Sequence, residues 1–498
     1  MPQLRDSGNS GPGSSIQQSA QFEGFARIFG VETEYGVSVT GAKKPVDAGQ
    51  VAMTMFRPIV SRARSTNTYL TNGSRLYLDV GSHPEYATAE ARSPLDALAQ
   101  DLAGERIMIR LAHQAQEQLR TAGYGDALRV HVFKNNADSA GHSFGCHENY
   151  LVRRFVSLEQ VEHELLPFLI TRQLYTGAGR VTESGFEITQ RADYLDEAVS
   201  SATTRSRPMV NTRDEPHADP EEFRRLHVII GDSNRSQWAT WMKLAVTHLV
   251  LCVIEEAARL GVPSGFEAFN LADPGEANRA VSRDLTCQHT QLQLADTGNA
   301  AATMSALDIQ RGYFTLVERF FHDHRDAMLA AMPSHHADSP WDHGVEQALS
   351  EWRRVLDVLE AGHVTDLADR VDWIAKWRLF NALRARKGEL SHARLEQLDM
   401  DYHDIANGTL YDSLLRRNAI LQLVDDEAAT QALHEPPSNT RAVLRGHFVQ
   451  AALDAGAQFS CDWTRLTLTV PQHREAVILD PFNATPNADY DRLLQALQ

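Results

Sequence analysis

The chain has 498 residues, and its 48 Lys plus Arg stand against 65 Asp plus Glu, a formal net charge of -17. That balance excludes a general nucleic-acid surface, which needs a basic excess. With 43% hydrophobic and 23% charged residues the composition is that of a globular chain, neither disordered nor membrane-dominated.

Residues 1–24 are rich in Ser, Gly and Gln and lack the basic start and apolar stretch of a secretory signal, so a disordered leader is expected there. Alternating apolar and polar residues predict strands over 27–39, 75–80, 128–133 and 225–231. Ser93 and Pro94 form a helix start, and Leu95, Leu98, Leu102 and Leu111 follow at near-helical spacing. Amphipathic patterns predict further helices over 158–173, 306–331, 345–361 and 367–386. The most apolar stretch, 238–260, is interrupted by Lys243, His248, Glu255 and Glu256. Its uncharged core falls short of the roughly 20 residues of a membrane span, so it is expected to be a buried helix and no membrane is expected as a partner. Pro436-Pro437 and the short alternating segments beyond it predict a small C-terminal domain over 426–498, after a large domain over 25–425. The fold class expected is α+β, built on an antiparallel or mixed sheet. Cys146, Cys252, Cys287 and Cys461 lie far apart without a CxxC or zinc spacing, which fits a reducing cytoplasm.

The first strand places Phe29, Val31, Thr33 and Tyr35 on one face and Gly30, Glu32, Glu34 and Gly36 on the other. Carboxylates on one face repel each other, so the arrangement is costly without a cation or basic partner. A solvated strand face is the alternative. In the second strand Arg75, Tyr77 and Asp79 alternate with Leu76, Leu78 and Val80, and Glu85, Thr88 and Glu90 follow directly. Hard oxygen donors gathered from several strands suit Mg²⁺, which keeps waters and phosphates in its octahedron. There is no GxxxxGK[ST] and no GxGxxG opening a helix, so any ATP is held by carboxylate-bound magnesium and arginines. Lys134, Asn135, Asn136, His147 and Glu148 form a polar stretch in which the pair His147-Glu148 is the better site candidate. Arg205, Arg207, Arg213, Arg224 and Arg225 fall within 21 residues of an acidic protein, and arginine forks bind phosphate or carboxylate. Pairing with Asp214, Glu215, Glu221 and Glu222 is the competing use for them.

These segments resemble the Pup ligase and depupylase family of actinobacteria, which is similar in fold to glutamine synthetase. The resemblance rests on Gly30-Val-Glu-Thr-Glu-Tyr-Gly36, the run from Asn72 to Glu90, Cys146-His-Glu-Asn-Tyr150, the run from Asn211 to Asp219, the run from Arg224 to Asp232, and Asp462-Trp463. It implies a glutamine-synthetase-like large domain with a curved, mainly antiparallel sheet and packed helices. It implies that Glu32, Tyr77 and Glu85 contact Mg²⁺, that Arg75, Thr88 and Trp463 contact ATP, and that Asp79 is the catalytic base. It further implies a monomeric ATP-dependent ligase. Its product joins the γ-carboxylate of the C-terminal glutamate of Pup, a small acidic protein tag, to lysines of target proteins bound for the proteasome, through a γ-glutamyl phosphate. Only 42 residues separate Glu32 from Arg75, leaving no room for the long inserted loop of the depupylase. A small-molecule carboxylate-amine ligase and a non-catalytic Pup-binding scaffold are the other classes. The segments 285–304 and 334–343 depart from the family pattern.

Overall fold

The computed structural model describes residues 24–497 except 64, 80, 139–140, 196, 201–206, 296–301, 333–340 and 342–343. The expected leader lies outside the described residues but for Gly24, as do Arg205 and most of 334–343. In chain order the strands up to Val228 are β1 (Phe29–Glu34), β2 (Gly36–Thr40), β3 (Asn67–Tyr69), β4 (Arg75–Leu78), β5 (Pro84–Ala87), β6 (Arg129–Phe133), β7 (Cys146–Arg153), β8 (Arg180–Thr182), β9 (Gly185–Glu187), β10 (Glu197–Ser200), β11 (Pro208–Asn211) and β12 (Phe223–Val228). Eight of them form one sheet in the order β10-β11-β12-β7-β1-β5-β4-β3. Every neighbouring pair is antiparallel except β10 with β11.

Alternation decides what each face of this sheet does. Phe29, Val31 and Thr33 of β1, Glu148 and Tyr150 of β7, and Leu226 and Val228 of β12 are buried on one face, where the helices Pro94–Leu119 and Gln237–Leu260 pack. Ser93 caps the first helix by accepting from the Asp96 amide, and Ser236 caps the second by accepting from the Ala239 amide. The polar residues that interrupt the apolar run of Gln237–Leu260 are paired inside the protein. Arg27 donates to Glu255 at 2.6 Å and to His248 at 3.0 Å, and Lys243 donates to the Asp232 carbonyl at 2.9 Å. The helix is buried from Gln237 to Ala257.

Several predicted elements differ from the fold; the helix expected over 158–173, for one, is the helices Leu158–Gln160, Leu166–Thr171 and Gln173–Thr176 with a π turn at Val161–Leu165. The stretch 27–39 is two strands, because the Tyr35 amide turns to the Pro84 carbonyl and β2 then pairs with β6 in a separate ribbon. The helix expected from 367 starts at Asp372, whose carboxylate accepts from the Ser236 amide, the Asn234 amide group and the Tyr402 hydroxyl. The strand expected over 225–231 is β12, two residues earlier in its start, and the amides of Ile229 and Ile230 both turn to the Met209 carbonyl.

Beyond residue 441 a helix, Ala442–Asp454, a three-stranded sheet of Gln458–Cys461, Arg465–Val470 and Arg474–Val477, and a last helix, Ala488–Gln495, enclose their own apolar cluster. Leu444, Phe448, Leu466, Leu468, Tyr490 and Leu493 form it, whereas Ala429 and Ala432 belong to the large core. Gly446 lets the first of these helices lie directly on the Thr71 carbonyl, and a Cβ there would overlap that backbone oxygen. Gly446→Ala is therefore expected to lower stability by about 1–3 kcal/mol despite alanine's better helix propensity. Thermal unfolding checks this, and an unchanged midpoint contradicts the close approach.

Candidate active site

On the face of the sheet away from the helices, strand register assembles side chains into rows. Asn67, Tyr77, Glu85 and Glu34 are successive cross-strand partners, and Tyr69, Arg75, Ala87, Glu32 and His147 form the next row. Gly30, Asn149 and His227 form a third. Asp79 follows β4 at an exposed position, its amide bonded to the His83 carbonyl and its carbonyl accepting from Ser82.

The first row ends in a carboxylate cluster. Oxygens of Glu34, Asp79 and Glu85 lie within 4.8 Å of one another. Among the described residues none of the three makes an ion pair. Glu34 accepts from the Gly145 amide at 2.8 Å, and the Tyr77 hydroxyl donates to Glu85. Burial, then the charges of Glu32 and Glu34, push the Glu85 carboxyl well above its ordinary range. Burial and the charges of Glu32 and Glu85 likewise keep the Tyr77 phenol protonated. Hard oxygens crowded together without a basic partner are the donor set that a divalent cation such as Mg²⁺ satisfies.

Glu32 sits in different company. His147 Nδ1 lies 3.4 Å from it, Arg225 Nη1 3.4 Å and His227 Nε2 3.8 Å. Burial would raise its carboxyl, but the His147 hydrogen bond and the His227 and Arg225 charges hold it well below the usual range. Arg225 also donates to Asn149 at 3.1 Å. Arg75 donates to Asn67 at 2.9 Å, and its guanidinium lies over the Tyr77 ring, 4.2 Å from the centroid.

Beside Glu32 lies a pocket lined by Ile28, Gly30, Thr88, His217, Arg441 and Trp463 among others. The Thr88 hydroxyl accepts from the Val31 amide at 3.0 Å, which fixes it on the pocket wall beside Gly30. Burial and the nearby Arg225 and Arg441 charges lower the His217 imidazole to about 4, so the ring is neutral at pH 7. It faces Trp463 with centroids 6.2 Å apart. Trp463 sits at the tip of a hairpin turned by Asp462, whose carboxylate accepts from the amides of Thr464 and Arg465. Its carbonyl accepts from Arg445, which with Arg441 clasps the buried Glu90 carboxylate.

The structure thus gathers Glu32, Thr88 and Trp463 around one pocket and sets Tyr77, Asp79 and Glu85 in the adjoining carboxylate cluster. Arg75 lies between them in the row of Glu32 but outside the pocket lining. Of the wider polar candidates, His147 faces the site, while Glu148 is buried on the opposite face and paired with Arg172. Lys134 is buried between Asp101 and Glu105 at 2.6 and 2.7 Å, which makes it a core cation. Asn136 is held by Ser233 and the Phe144 carbonyl. The arginine group divides: Arg225 enters the site, Arg213 pairs with Glu215 at 2.7 Å, Arg207 donates to the Ser143 carbonyl and Arg224 to that of Val156. His227, Asn149 and His217 also belong to the site, though no motif in the sequence marks them. The polar His227 between Leu226 and Val228 carries the alternation that places it on this face.

A family model described as Pup-ligase protein matches residues 27–467. The chain is 64% identical to a Pup-protein ligase of Bifidobacterium longum (strain DJO10A) over 498 residues, all of both chains. It is 61% identical to a Pup-protein ligase of Bifidobacterium dentium, again over the whole of both. The crystal structure of the complex between prokaryotic ubiquitin-like protein Pup and its ligase PafA superposes with a TM-score of 0.84 at 38% identity, covering 95% of this chain and 91% of that one. The structure of PafA in complex with ADP gives a TM-score of 0.77 at 38% identity, covering 93% and 96%. With its carboxylate rows, its interdomain pocket and this full-length similarity, the chain belongs to the Pup-ligase family.

Proposed function

We propose that this protein uses ATP to join the γ-carboxylate of the C-terminal glutamate of Pup to lysine ε-amines of target proteins, marking them for proteasomal degradation. The observation that carries this reading is the cluster of Glu34, Asp79 and Glu85, unpaired among the described residues and adjoining a pocket lined by Glu32, Thr88 and Trp463. Glu32 and Glu85 would hold Mg²⁺, with Glu34 able to join them. An ion held there would supply charge neutralisation for the transferring phosphoryl group. Tyr77 orients Glu85 through its hydroxyl. Thr88 and Trp463 contact the nucleotide within the pocket, and Arg75 faces the phosphates.

The reaction runs in two steps. A γ-carboxylate oxygen of Pup attacks the γ-phosphorus and ADP leaves, giving a γ-glutamyl phosphate. A lysine amine then attacks the acyl carbon, phosphate leaves, and an isopeptide bond remains. An ammonium with an ordinary pKa near 10.4 must lose a proton before it attacks. Asp79, exposed at the rim of the cluster, is placed to take it.

In this reading the protein acts as a cytoplasmic monomer, with neither nucleic acid nor membrane as a partner. Its charge of -17 and its free cysteines support that setting. The small C-terminal unit that begins at Ala442 closes the nucleotide pocket with Trp463. Mixing the protein with ATP, Mg²⁺, Pup and a lysine-bearing target should add one Pup mass, less water, to the target. Turnover of ATP with free glutamate in place of Pup would instead favour a small-molecule ligase. If Arg225, Arg213 and Arg207 steer acidic Pup, its dissociation constant rises several-fold from low salt to several hundred millimolar, as expected of screened charges. A constant insensitive to salt would remove these arginines from Pup recognition.

A further inference from the structure

The site face of the sheet changes character along its strands. At one end Glu32, His147 and His227 stand on β1, β7 and β12. Ile28, just before β1, and Leu151 and Phe223 on the other two strands share the parity of these residues, and with Ala218 and Phe482 they form a small apolar cluster. Ile28 and Leu151 line the same pocket as Gly30, Asn149 and Glu32. Four residues of extended chain separate Ile28 from Glu32, about 13 Å at the usual rise per residue. A ligand whose charged end lies at Glu32 therefore places its other end on apolar surface.

Two aromatic rings line that pocket as well, one from each side of the domain interface. Trp463 is held in place by Tyr69, which meets it edge-on at 5.2 Å, and by the Arg445 guanidinium over its ring. His217 belongs to the connection between β11 and β12, and the next residue, Ala218, is buried in the apolar cluster. The two rings are 6.2 Å apart between centroids, with their planes tilted by 38°. Carbon contacts need about 3.5 Å on each side, so a flat ring seats between them once they part by about 1 Å.

Two further observations separate His217 from a residue that merely fills a loop. Its φ is 51°, in the left-handed region that a non-glycine adopts at a cost and that recurs at ligand clamps. Among the described residues neither of its ring nitrogens makes a hydrogen bond, and neither is sealed inside the protein. The ring is also neutral at pH 7, so it adds a flat surface beside Arg225 and Arg441 without adding charge.

We propose that His217 is a nucleotide-binding residue, closing with Trp463 an aromatic clip on the base of ATP while the phosphates extend toward Glu32. The inference rests on the nucleotide reading of this pocket given above.

The test titrates the full-length protein, in the presence of Mg²⁺, with ADP and with tripolyphosphate, which carries the charge but no base. His217→Asn is the informative change, because asparagine tolerates the left-handed backbone and has no ring. It should bind ADP about 5- to 100-fold more weakly, the usual worth of one base–aromatic contact, and tripolyphosphate as the wild type does. His217→Phe restores a ring and should bring ADP affinity back to within about threefold of the wild type. Unchanged ADP affinity in His217→Asn overturns the proposal. So does equal weakening of ADP and tripolyphosphate, which would tie His217 to the shape or charge of the pocket. A His217→Phe protein that binds ADP no better than His217→Asn also overturns it, because the ring surface then contributes nothing. If the wild-type protein binds tripolyphosphate but no ADP, the nucleotide reading of the pocket has itself failed, and this inference falls with it.

Discussion

Asp79→Asn is expected to lower single-turnover isopeptide formation by about 10²- to 10⁴-fold, the usual worth of a general base, while nucleotide binding persists. The amide keeps the shape of the carboxylate and cannot accept the lysine proton. Asp79 is suited to the role because it is exposed where Glu34 and Glu85 are not, yet its carboxylate lies within 4.8 Å of theirs. The check is single-turnover conjugation beside nucleotide titration in both proteins. Conjugation near the wild-type rate would assign the proton to another group. Loss of nucleotide binding together with conjugation would make Asp79 chiefly a ligand for the cation.

The second large effect is structural in origin and functional in outcome. Glu90→Gln is expected to cost about 3–5 kcal/mol, the usual penalty for leaving buried charge without its partner. Glu90 is clasped by Arg441 and Arg445, which are 3% and 1% exposed. Nucleotide affinity should fall with it, since Arg445 also holds the Trp463 carbonyl and lies 4.9 Å from that ring. Burial alone would raise the Glu90 carboxyl, but Arg445 and Arg441 outweigh it and hold it at about 2, against 4.5 unperturbed. A depressed carboxylate stabilises the fold fully above its unfolded value and loses that contribution as pH falls through its folded one. About 3 kcal/mol should therefore disappear between about pH 4.5 and pH 2 in the wild type and not in the variant. Unfolding midpoints measured across that window check this, and parallel curves for the two proteins would contradict it.

How much of this could be read in advance follows from what alternation and chain order encode. The period of two is local, so it placed Glu32 with Glu34 and Arg75 with Tyr77 and Asp79 on shared faces, as the structure shows. The same rule sets His147 and Glu148 on opposite faces, and only His147 reaches the site. Register is not local. That Glu34 lies opposite Glu85, and Glu85 opposite Tyr77, depends on how three strands align, so the cluster with Asp79 was legible only as a list of carboxylates. Lys134 looked like a ligand contact because nothing nearby in sequence announces Asp101 and Glu105 as its partners. Trp463 reaches the pocket through a buried contact between Glu90 and Arg445, 355 positions apart, and no local pattern carries that information. Only the family resemblance did.

The account turns on activation of the Pup carboxylate by phosphoryl transfer, and oxygen-18 tracing tests it most directly. Pup labelled in the γ-carboxylate of its terminal glutamate is conjugated to a target with unlabelled ATP, and the released phosphate is analysed by mass. The γ-glutamyl phosphate route predicts one labelled oxygen in each phosphate per isopeptide formed, because the bridging oxygen leaves with phosphorus. Phosphate free of label, at full conjugation, would contradict it.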